Sequence, residues 1–139
     1  MLPDKKIERF IARHHVLTLA TATTEGTPYC CNCFYAYDKA SVTFIFTSDP
    51  VTRHAQMMIE NERVAASIVL ETRIVGKVQG LQITGYAKQA TAADRMTYIK
   101  SFPYAAVADL HLWRLEADFL KLTDNTLGFG KKLIWQRQE

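Results

Sequence analysis

Apolar and polar residues alternate one by one through much of this chain, and that period of two constrains its fold more than any other feature. In VLTLATA, Leu17, Leu19 and Thr21 interleave with Thr18, Ala20 and Ala22, and EGTP (25–28) ends the run. Residues 29–38 read as a returning strand, and SVTFIFTS (41–48) as a third, rich in β-branched and aromatic residues. RVAASIVLE (63–71) and VQGLQITGYAKQA (78–90) add two more. From Trp113 the alternation resumes, with Trp113, Leu115, Ala117 and Phe119 opposite Arg114, Glu116 and Asp118. Successive strand side chains point to opposite faces, so each run has one buried face. Mostly short connections favour antiparallel pairing. The expectation is a mainly β chain with flanking helices (α+β), its six antiparallel strands forming a small barrel.

The helices show a different period. Residues 3–14 carry Ile7, Phe10 and Ile11 on one face, with Pro3 suited to the first turn. In DPVTRHAQMMIENE, Ser48 or Asp49 is the expected N-cap and Pro50 the first helical residue, with Val51, Ala55, Met58 and Ile59 on the apolar face. TAAD (91–94) resembles a capping box opening a helix that ends before Pro103, and residues 103–112 suit a short helix. No repeat is visible, and 139 residues fit one domain over 1–139.

Composition narrows the function classes. A net charge of +3 and a pI near 8.8, with the basic residues scattered, make nucleic acid an unlikely partner and suit a small anionic ligand as well. No run is apolar enough for a bilayer span, the N-terminal residues lack a secretory pattern, and an odd cysteine count suits reduced thiols. A cytoplasmic protein is expected. No G-x-G-x-x-G turn is present, which excludes a Rossmann nucleotide site.

Three cysteines crowd YCCNCFYAYD (29–38). On a strand Cys31 and Cys33 share a face and Cys30 takes the other. Their backbone positions lie about 6.6–7 Å apart, whereas a shared zinc wants sulfurs about 3.8 Å apart. The cysteines are therefore expected to be structural, with no metal. His14 and His15 suit the carbonyls at a helix C-terminus, and His54 and His111 share no ligand spacing with them. FTSDPVTRH (46–54) is more informative: a strand, a polar turn and a helix start, where unpaired N–H groups and the helix dipole suit a phosphate. Thr47, Ser48 and Thr52 offer hydroxyls, Arg53 and His54 charge. A capped helix with solvated side chains is the alternative, and Asp49 would compete for the same N–H groups.

The order LAT (19–21), EGTP (25–28), IFTS (45–48), TRH (52–54) and NERV (61–64) resembles the pyridoxamine 5′-phosphate oxidase-like family of FMN-binding split barrels, over roughly residues 5–90. The resemblance implies a six-stranded antiparallel split β-barrel, a homodimer with FMN at the subunit interface, and an oxidoreductase acting on a small molecule. It implies that Cys31, Asn32 and Cys33 flank the flavin ring, followed by Phe46 and Thr47. Thr52, Arg53 and His54 would hold the phosphate, Gln79 or Gln82 would reach the ring, and Lys131, Lys132 and Trp135 would close the pocket. Two positions depart from the family pattern: His54 replaces a common Lys, making that charge titratable with loss above about pH 6.5, and Glu62 replaces a Pro. Deazaflavin or haem are the alternative cofactors, and a non-enzymatic ligand-binding or sensor protein is the alternative function. Flavin would bring its own redox chemistry, so no nucleophile–base pair is needed and the catalytic residues stay unknown.

Overall fold

The computed structural model describes residues 1–128 and 130–138. Three helices, α1 (Lys5–Arg13), α2 (Arg53–Glu60) and α3 (Ala92–Ser101), accompany seven strands. These are β1 (Val16–Ala22), β2 (Pro28–Asp38), β3 (Thr43–Thr47), β4 (Arg63–Leu70), β5 (Gln79–Gln89), β6 (Leu112–Asp124) and β7 (Lys132–Gln136). The sheet order is β3-β2-β1-β4-β5-β6-β7, and β3 also pairs with β6, closing six antiparallel strands into the expected barrel. The seventh strand was not expected. Its LIW stretch is too short for alternation to register.

β6 explains the split. Its first half, from Leu112 to Glu116, pairs with β3, while Phe119 to Thr123 pair on the same edge with β7. Arg137 bridges the opening. Its side chain donates to the carbonyls of Ala117 (2.8 Å) and Ser41 (2.7 Å), and its backbone N–H to Asp118 (2.8 Å). A bulge lies at the same place, where the β5–β6 register slips between Thr84 and Gly85. Past that slip the buried phase of β6 changes: Leu115 and Ala117 face inward, then Leu120 and Leu122, leaving Phe119 half-buried. The uniform alternation read across Phe119 is thereby corrected, because an extra residue in one strand inverts every later side chain.

Two helices cover opposite ends of β1. α1 starts from Asp4, whose carboxylate accepts the Lys6 N–H at 2.8 Å, so Pro3 precedes the cap instead of opening the helix. It sinks Ile7, Phe10 and Ile11 into the core, each worth about 1.5–3 kcal/mol when fully buried. At the other end α2 packs Ala55 and Met58 on the same core, and Asn61 donates to the carbonyl of Ala22. α3 has the expected capping box between Thr91 and Asp94 and covers a smaller outer core of Ala36, Ile45, Tyr98, Ala105 and Leu112. Of residues 103–112, ambiguous in the sequence with a short helix as one reading, 103–106 form a 3₁₀ turn and the rest are irregular up to β6. No helix among the described residues is long and apolar enough to cross a membrane.

Candidate functional site

The segment between β3 and α2 is a turn followed by a cap. Asp49 accepts the Val51 N–H on its carboxylate (3.0 Å), and its carbonyl accepts the Thr52 N–H (3.0 Å) and hydroxyl (2.7 Å). Thr52 then caps α2, its Oγ1 accepting the Ala55 N–H at 3.3 Å. The expected cap at Ser48 or Asp49 is corrected because Asp49 spends its carboxylate on the turn, which also keeps Pro50 outside the helix. Val51 and Ile59, expected on the buried face, are 84% and 61% exposed, and Met57 joins Ala55 and Met58 inside. With its carboxylate bonded to Val51, Asp49 does not block the first helical N–H groups. Those of Arg53 and His54 have no acceptor within the helix.

Beneath this turn the inward face of β2 meets β3 and α2. Cys31 and Cys33 share that face, as expected, while Cys30 is exposed. Their sulfurs are 3.9 Å apart, much closer than their backbone positions, because strand side chains lean along the strand. The argument that strand spacing keeps them too far apart for a common ligand is therefore corrected. An imidazole nitrogen of His54 lies with both sulfurs in a group whose donor atoms are all within 4.8 Å of one another. Ser48, buried at the end of β3, holds the imidazole: its Oγ is 2.8 Å from His54 Nε2. The Cys33 hydrogen bond holds the Cys31 thiol below its ordinary range, while that contact and burial push Cys33 up. Burial holds His54 below the usual histidine value, so it is neutral near pH 7. The titratable charge expected on His54 is therefore lost at a lower pH than an ordinary histidine's, which leaves Arg53 as the cation of this turn near pH 7.

Arg53 is exposed and stacks its guanidinium over the Tyr29 ring, 4.5 Å from the centroid. Tyr29 lies two residues before Cys31 on β2, and that same-face spacing was the sequence signal for it. The other expected contacts are dispersed. Asn32 is on the outward face, bonded to the Thr18 hydroxyl at 2.9 Å. Phe46 is wholly buried in the core, and Thr47 is half-buried and pairs with Leu112. Gln79 lies at the opposite end of β5, accepting from Arg13 at 3.3 Å, and Gln82 is exposed between Ser67 and Lys121. Lys131 and Lys132 are exposed. Trp135 is a core residue whose indole donates to the Met1 carbonyl at 2.8 Å. Glu62 is exposed just before β4. His14 plays the role expected of it, its Nδ1 bonding the Phe10 carbonyl at 2.8 Å.

This architecture has relatives. A family profile described as pyridoxamine 5′-phosphate oxidase matches residues 3–122. A UPF0306 protein of Photorhabdus laumondii is 38% identical over 135 residues, covering 94% of each chain. Among solved structures, a haem-binding protein from Mycobacterium smegmatis superposes with a TM-score of 0.73 at 20% identity, over 91% of this chain and 54% of that one. PhzG from Burkholderia lata, in complex with tetrahydrophenazine-1-carboxylic acid, gives 0.69 at 16%, over 96% and 86%. With the profile spanning most of the barrel and the UPF0306 relative matching nearly end to end, the chain belongs to the pyridoxamine 5′-phosphate oxidase family, in its UPF0306 branch.

Proposed function

We propose that this protein binds FMN and serves as a flavin-dependent oxidoreductase for a small molecule, with the phosphate held at the start of α2. The observation that carries the reading is the convergence at that turn of the exposed Arg53 guanidinium, stacked on Tyr29, with the first N–H groups of α2, while the Thr52 hydroxyl is spent on the Asp49 carbonyl and the Ala55 N–H. These groups fit a phosphate. Bound flavin would supply hydride and electron transfer, and the chain would supply grip and orientation. Gln79 fits the ring less well, since it sits beside α1 at the far end of β5.

A homodimer is part of this reading. Val16 pairs with Phe34 across β1 and β2, and Val69 continues the row on β4, beyond the Thr18–Ser67 pair. These three residues are 42%, 55% and 61% exposed on the outer face, an apolar row that a second copy would cover.

Replacing Arg53 tests the phosphate assignment. A hydrogen bond to a charged group contributes about 1.5–3 kcal/mol, so Arg53→Ala should weaken FMN binding about 10–150-fold. Riboflavin, lacking the phosphate, should bind wild type and variant alike. Equal losses for both ligands, or none, would place the phosphate elsewhere.

One observation favours haem as a second reading. His14, its Nδ1 fixed on the Phe10 carbonyl, lines a groove of about 560 Å³ together with Tyr35, Lys39 and Phe102, leaving Nε2 free as a ligand. The Mycobacterium smegmatis neighbour binds haem. A haemin titration of wild type and His14→Ala separates the readings: a Soret shift lost in the variant supports haem.

A further inference from the structure

We propose that Cys31, Cys33 and His54 form a binding site for a thiophilic divalent metal ion of the zinc class, which borders the proposed phosphate turn but does not depend on flavin, and which is opposite to the sequence-based expectation of no metal. The sulfurs at 3.9 Å, each about 2.3 Å from a common zinc, would subtend about 116° there, between tetrahedral and trigonal. A disulfide is the poorer use of this pair. Residues two apart on a strand are separated by about 6.6–7 Å at Cα, the upper end of what a disulfide spans.

The third donor comes from a different element, which is why no sequence spacing announces it. His54, two residues into α2, lies with both sulfurs inside the 4.8 Å group. A tetrahedral sulfur–nitrogen pair on zinc is about 3.6 Å apart, so from within 4.8 Å the imidazole has to close by at most about 1.2 Å, a side-chain adjustment. Ser48 holds the imidazole through the 2.8 Å bond to Nε2; Nδ1 ligation would keep that bond and Nε2 ligation would replace it. Buried Cys33 and Ser48 and half-buried Cys31 and His54 give partial exclusion of water, while the half-buried pair leaves an entry path. Two thiolates and an imidazole are a donor set for zinc in preference to magnesium or calcium, which take oxygen.

Cobalt(II) reports the coordination directly. The reduced, metal-free full-length protein should bind one equivalent of Co²⁺ with sulfur-to-metal charge-transfer bands, and Zn²⁺ should displace it. Cys31→Ser and His54→Ala should each weaken Zn²⁺ at least as much as the roughly 100-fold that loss of even an outer-shell partner can cost. Cys30→Ser should bind as wild type does, and thermal melts of the metal-free variants establish that each is folded. The proposal is overturned if folded wild type shows no thiolate bands at stoichiometric Co²⁺, or if Cys31→Ser and His54→Ala retain Zn²⁺ affinity. Binding of Cu⁺ without Zn²⁺ would overturn it too. FMN is absent throughout, so failure here leaves the phosphate reading standing, and failure of that reading leaves this one.

Discussion

Glu8 shows how one side chain can weigh against the fold that holds it. Both its carboxylate oxygens and the hydroxyl of Tyr37 are buried near one another, too poorly aligned to count as a hydrogen bond though close enough to interact. Burial raises the Glu8 pKa above the usual carboxylate value, and the neighbouring Tyr37 and Lys39 offset this only in part. The native state therefore holds its proton more tightly than the unfolded chain does. Stability is lost as pH rises from the unfolded value, about 4.3, through the higher folded one. Glu8→Gln should melt higher than wild type at pH 7, and the gap should close near pH 4. A gap of the same size at both pH values would show that ionisation is not the cause. At this same scale the sequence was least legible. Strand spacing correctly put Cys31 and Cys33 on one face, but a backbone repeat carries no information on how far side chains lean. The turn that moved the cap to Thr52 depended on which N–H group the Asp49 carboxylate chose.

At the scale of elements, alternation identified six strands because each has one face on a common core. Where the pairing itself is irregular, alternation could not. The β5–β6 bulge needs Gly85: a Cβ there would collide with the Glu116 carbonyl oxygen and the Leu115 side chain. A strand glycine signals such a close approach in general, yet gives no hint of where the partner's phase inverts. Gly85→Ala should cost about 1–3 kcal/mol, the usual range for overpacking, read as a lower urea midpoint at unchanged m-value. An unchanged midpoint would mean the two strands part easily there. The capping box of α3 was legible because its residues are local. Its wider role was not: Asp94, nearly buried, also pairs with Arg114 of β6 at 2.8 Å, tying helix to barrel across twenty positions of chain.

At the scale of the whole molecule, the barrel brings β2, β3 and α2 together at one end and leaves an apolar outer face at Val16, Phe34 and Val69. If a second copy covers that face, light scattering should report twice the 15.8 kDa chain mass, and Phe34→Asp should return the monomer value. A variant that stays dimeric would move the interface elsewhere. The family was legible in the order of short motifs. Of the expected flavin contacts, Thr52 and Arg53 lie together at the start of α2, while Asn32, Phe46 and Gln79 lie elsewhere on the barrel. The central claim is that this α2 start holds the phosphate of FMN, and the most direct measurement is a fluorescence titration of the purified wild-type protein with FMN and with riboflavin. The account predicts saturable FMN binding at one per chain, with riboflavin weaker by about the 10–150-fold that a charge-assisted phosphate contact supplies. A folded protein that takes up no FMN, or binds both ligands equally, would contradict it.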